Sequence, residues 1–168
     1  MRSLALALRM VACTPTAVKE DPWADAGPDF AGHGLTTHLH RGEDGAVVAE
    51  LTAKRFWGFQ QAGRQVLEGV VVRFHEAGLR LSARRAALLE GGKVELRGDV
   101  QGEMGLRRFR TQTLLYDGGA RRFTMSGPTD FFGDRHQLRA AGGAEADERF
   151  DELKLLGPVE GEARVGAR

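Results

Sequence analysis

The sequence predicts an all-β fold: a meander of short antiparallel hairpins repeated about every 29 residues. Three observations carry this. Apolar residues alternate at period two: Val70, Val72 and Phe74 against Val71, Arg73 and His75; Leu79, Leu81 and Ala83 against Arg80, Ser82 and Arg84; and Val94, Leu96 and Val100 on one parity of the next segment. Turn formers punctuate them at Glu76-Ala77-Gly78, Gly91-Gly92, Gly102 to Gly105 and Asp117-Gly118-Gly119. Gly69, Gly98, Gly127 and Gly157 recur every 29–30 residues, in step with Leu51-Thr52-Ala53, Leu81-Ser82-Ala83, Phe109-Arg110-Thr111 and Leu138-Arg139-Ala140. Each unit is one strand, a turn and a returning strand.

The 168 residues, 42% hydrophobic and 28% charged, suit one domain able to bury a core. A net charge of +1 gives no basic footprint, so nucleic acid is not an expected partner. No run approaches the ~20 apolar residues of a spanning helix. The single cysteine, Cys13, excludes an internal disulfide.

Along the chain, residues 1–13 combine Arg2, the apolar run Leu4 to Leu8 and Met10-Val11-Ala12-Cys13. This resembles a bacterial lipoprotein signal with Cys13 as the acylated residue, although Arg9 interrupts the apolar run and shortens it below the usual length. Residues 14–34, with Pro15, Pro22, Gly27, Pro28 and Gly32 and no periodicity, read as a flexible tether. Residues 35–161 read as the folded part and 162–168 as a C-terminal tail. Within the fold, Arg84 to Glu90 has helical propensity but is short, and reads as a turn or strand ending at Gly91-Gly92. Gly142 to Phe150 carries almost no apolar face and reads as a solvated strand or loop.

Catalytic motifs are absent: there is no Gly-x-Ser-x-Gly elbow and no His-Glu-x-x-His helix, so neither an enzyme nor a cofactor is expected. His38 and His40 share a strand face near His33, but no third ligand is assigned, and they read as solvated histidines. Arg84-Arg85, Arg107-Arg108-Arg110 and Arg121-Arg122 read as edge and turn charges, with phosphate binding the sharper alternative.

The residues GAVVAELTA (45–53), VLEGVVVRFHEAGLRLSA (66–83), VELRGDV (94–100), FRTQTLLYD (109–117) and LKLLGPVEG (153–161) resemble the LptC family of lipopolysaccharide-export proteins and its LptA/OstA relatives. The resemblance implies an elongated antiparallel β-jellyroll in the periplasm, open along one side, with an apolar groove for the acyl chains of lipopolysaccharide. It implies that lipid arrives from an inner-membrane ABC transporter with LptF/LptG-like permeases and leaves to an LptA-like periplasmic bridge protein. The parity residues Val70, Val72, Phe74, Leu79, Leu81, Val94, Leu96, Val100, Phe109 and Leu138 are then the lipid-binding candidates. Leu153, Leu155 and Val159, in the last unit, form the partner edge, because no successor covers it. Members of the family usually begin with a transmembrane helix. Here the lipoprotein-like segment stands instead, and anchoring at the inner membrane is the favoured expectation. The alternative is a structural periplasmic lipoprotein scaffold whose apolar residues close into a dry core with no lipid cargo.

Overall fold

The computed structural model describes residues 28–40, 45–60 and 63–163. Twelve strands form among them: β1 (Phe30–His40), β2 (Val47–Phe59), β3 (Arg64–Phe74), β4 (Leu79–Leu89), β5 (Lys93–Met104), β6 (Arg107–Asp117), β7 (Arg122–Ser126), β8 (Thr129–Phe132), β9 (His136–Ala140), β10 (Gly143–Asp147), β11 (Leu153–Leu156) and β12 (Val159–Ala163). All pairings are antiparallel, and β1 to β6 each pair with the next. From β6 the sheet forks: its C-terminal part pairs with β7 and its N-terminal part with β8. The two branches then run β7–β10–β11 and β8–β9–β12. Thus β7 with β8, β9 with β10, and β11 with β12 are long strands interrupted once, and the described residues form a meander of nine long strands.

Each long strand crosses a common waist. On the odd-numbered ones the crossing is made by Gly34, Gly69, Gly98, Gly127 and Gly157, all left-handed at φ between 62° and 79°. The repeat glycines are therefore hinge points where the backbone needs a conformation that other residues resist. At Gly98 the ladder bulges, with Gly98 and Asp99 opposite Gln112 alone. At Gly69 the Cα lies under the stem of Lys54, whose Cδ would be 2.8 Å from an added Cβ. Beside the waist sit the small residues of the second marker, Ala53, Ala83, Thr111 and Ala140, all buried. Thr129 donates its hydroxyl to the Gly127 carbonyl (3.1 Å) and is hydrogen-bonded to the Thr111 hydroxyl (3.1 Å), so the polar atoms there are satisfied.

The waist divides the sheet into two half-sheets that fold onto each other. The first holds 35–40, 47–53, 70–74, 79–83, 100–104 and 107–111 with β8, β9 and β12. The second holds 30–33, 55–59, 64–68, 85–89, 93–97 and 113–117 with β7, β10 and β11. Inward parity switches across the waist, from Leu67 to Val70 on β3 and from Thr111 to Leu114 on β6, so both half-sheets turn apolar residues to one core. Among the described residues the sheet does not close: β1 pairs only with β2, β11 only with β10, and β12 only with β9. This is the expected elongated antiparallel β-jellyroll, open along one side.

Two boundaries and one inner segment differ from expectation. The first described strand begins at Phe30, inside the stretch assigned to the tether, and there the Phe30 ring covers Gly58 and the Phe56 ring covers Gly32 across the β1–β2 ladder. Gly32, which reads as coil in the sequence, is here a strand position roofed by an aromatic ring. At the other end β12 runs to Ala163, two residues into the expected tail. Gly142 to Phe150 is not solvated: β10 lies between β7 and β11, Ala144 and Ala146 are buried, and Phe150 turns inward at φ 57°. Alanines were too small to register as an apolar face. Cys13 and the rest of residues 1–27 lie outside the described residues, as do residues 164–168.

Candidate functional site

The ten lipid-binding candidates meet in one place. Val70, Val72, Phe74, Leu79, Leu81, Val94, Leu96, Val100 and Phe109 are at most 6% exposed, and Leu138 is half-buried against them. They touch one another rather than solvent. The opposite parity carries ion pairs: Arg73 is bonded to its cross-strand partner Glu50 (3.4 Å) and Arg80 to Glu103 (3.4 Å). An apolar inside and a charge-laddered outside are thus both built from period-two alternation.

Access to the inside is uneven along the molecule. Towards the C-terminal strands the half-sheets are shut by rings. Phe74 of the first packs edge-on against Tyr116 (4.9 Å) and Phe123 (5.1 Å) of the second. Phe150 lies 5.6 Å from Phe109 and 5.1 Å from Phe123. Around this plug, Tyr116 donates its hydroxyl to the buried Glu148 (2.8 Å), Arg121 donates Nε to the same carboxylate (2.8 Å), and Arg149 reaches Glu76 of the opposite half-sheet (3.6 Å). Contact with Glu148 holds the Arg121 guanidinium even more firmly protonated than usual.

Towards β1 the half-sheets part. A cleft of about 430 Å³ opens between Thr37 of the first and Phe30, Gln65, Leu88 and the strand ends of the second, with Phe59, Gln60, Gly63, Arg64 and Leu89 on its rim. By register Phe30, Gly58, Gln65 and Leu88 form one inner row. Phe30 is 40% exposed and Gln65 is exposed although both face inward, so the inner surface is reachable here. Two other clefts differ. One of about 480 Å³ is lined by Arg122, Glu145, Asp147, Glu152 and Lys154, with Ala146 and Leu153; a smaller one of about 220 Å³ surrounds Gly102, Phe109 and Phe132. Sequence reasoning missed the cleft, since Phe30 lay in the presumed tether and the rim residues sit at strand ends where alternation gives no signal.

The partner-edge candidates lie on the free C-terminal strands. Leu153 and Val159 are 42% and 47% exposed, and Leu155 is half-buried. All three pair with buried alanines (Ala146, Ala140 and Ala144 respectively), so they continue the inner apolar face to the rim. His33, His38 and His40 are exposed on β1, and His40 Nδ1 lies 3.0 Å from the Gly45 carbonyl oxygen. Among the described residues no group of three or more His, Cys, Asp or Glu is placed to hold a metal ion, and no helix is long and apolar enough to cross a membrane. The arginine clusters are exposed; Arg110, Arg121 and Arg122 face Asp99, Glu148 and Glu145.

A family model described as LptC, lipopolysaccharide-assembly, LptC-related, matches residues 4–163. Among solved structures, the chain is similar to LptH of Pseudomonas aeruginosa, described as the LptA-homologous periplasmic component of the conserved lipopolysaccharide transport device. The TM-score is 0.56 at 12% identity, over 70% of this chain and 95% of that one, which is a likeness of fold. No curated protein matches the chain.

Proposed function

The chain belongs to the LptC-related family of lipopolysaccharide-assembly proteins, and we propose that within lipopolysaccharide transport it shelters the acyl chains between its two half-sheets. The observation that carries this is the continuous apolar inner surface, buried in the middle and reachable at the β1 cleft. Removing acyl surface from water gains roughly 25 cal/mol per Å², so such a surface suffices to hold lipid without specific bonds. In this reading lipid enters at the N-terminal end from LptF/LptG-like permeases of an inner-membrane transporter. It leaves at the C-terminal end, where β11 and β12 offer free edges to an LptA-like bridge in the periplasm. Cys13 is read as an acylated anchor; Cys13→Ala is expected to release the protein from membranes or leave it unprocessed, and an unchanged membrane fraction and mass would remove the anchor.

Photo-crosslinking in cells tests the cargo. A crosslinking residue at Leu88 or Leu81 is expected to capture lipopolysaccharide, and one at Arg80 on the outer parity is not. Equal capture at all three, or none, removes the reading.

A second reading has its own support: a structural scaffold with a dry core. The near-complete burial of nine of the ten candidates favours it. Native mass spectrometry separates the two, since a scaffold purifies free of lipid.

A further inference from the structure

Arg64 differs from the other arginines of the described residues in its buried Nε. Arg55, Arg73, Arg80, Arg97, Arg110 and Arg122 each face a carboxylate. Arg64, the first residue of β3, has no carboxylate partner among the described residues, and its Nε is buried without a hydrogen-bond partner. Its guanidinium is pinned over the cross-strand neighbour Phe59, 5.0 Å from the ring centroid. It stands on the rim of the β1 cleft, above the inner row of Phe30 and Leu88. A buried donor left unmade is costly unless something supplies an acceptor. Of the acidic groups at this end, Asp29 accepts the Gln60 N–H (2.6 Å) and the Glu90 carboxylate lies against Gly63; neither is ion-paired with Arg64.

We propose that the β1 cleft binds a phosphorylated acyl amphiphile, with its phosphate on Arg64 and its chain along Phe30 and Leu88. The inference rests on the acyl-binding reading and adds the group that orients the lipid at entry. Planar guanidinium suits a phosphate in two-point contact. The apolar row below it takes the chain but gives no direction, so the cation at the rim sets which end enters first.

Isothermal titration of the protein with dodecyl phosphate, dodecyl maltoside and inorganic phosphate tests this, using wild type, Arg64→Gln and, as a charge control, Arg107→Gln. Wild type is expected to favour dodecyl phosphate over dodecyl maltoside by about tenfold or more. Arg64→Gln should erase that preference while leaving dodecyl maltoside binding unchanged, and Arg107→Gln should keep it. An unaltered preference in Arg64→Gln overturns the inference and leaves acyl binding standing. Failure of both amphiphiles to bind wild type overturns both readings. Inorganic phosphate binding as tightly as dodecyl phosphate marks a plain anion site and overturns the amphiphile.

Discussion

Glu148 is the one buried acidic residue among those described, and Tyr116 and Arg121 are unequal partners to it. Tyr116 is buried with it, whereas the Arg121 side chain is 48% exposed. Removing Arg121 leaves a carboxylate in the core with less compensation, and removing the carboxylate's charge leaves an amide that still accepts the Tyr116 hydroxyl. Arg121→Ala is therefore expected to lower stability more than Glu148→Gln does, read as a larger shift of the urea midpoint for the former. Nothing in the sequence joined this trio: Tyr116 and Arg121 stand 32 and 27 residues from Glu148, on a strand and in an edge-and-turn charge pair, and Glu148 lies in a stretch that reads as a solvated strand or loop.

At the scale of elements, the long strands are defined by where they bend. Gly127-Pro128 and Gly157-Pro158 break two of them at the waist, where proline's missing N–H leaves no ladder bond unmade. The Pro158 carbonyl still accepts the Ala141 N–H at 3.0 Å. Because β11 and β12 each pair with a single neighbour, deleting residues 153–168 is expected to leave the remaining strands folded and lipid-binding while abolishing capture of an LptA-like partner in a pull-down. Full retention of the partner would place its docking edge elsewhere. The repeat that defines these elements was legible because a left-handed hinge selects glycine strongly. Its first member, Gly34, was hidden, since the longer connections around β2 stretch its spacing to Gly69 to 35 residues.

At the scale of the molecule, the two sheet edges are separated by eight inter-strand steps, roughly 40 Å along the sheet at ~4.8 Å per strand. Between them the interior is open at β1 and plugged by Phe74, Tyr116, Phe123 and Phe150. Passage of acyl chains from one end to the other requires the half-sheets to part at the plug, where Arg149 and Glu76 meet. Joining Glu76→Cys and Arg149→Cys with a bismaleimide is expected to leave the fold intact and abolish lipopolysaccharide capture at Leu81, while capture at Leu88 persists. Unchanged capture at Leu81 would show that the chains pass without spreading the plug.

The sequence by itself determined the central strands, their parity and four members of the hinge repeat, because alternation and left-handed glycine are local demands that each residue meets alone. It determined that Val70, Leu81 and Leu96 face inward and Arg73 and Arg80 outward. Only the tertiary structure decided whether that inward face meets itself or solvent. The outcome depends on how far two half-sheets fold about a common waist, and that is set by contacts such as Phe74 on Phe123 and Phe150 on Phe109, between residues 41 to 49 positions apart. The fold decided equally that Phe30 and Arg64, unremarkable in a linear reading, stand together at the β1 cleft.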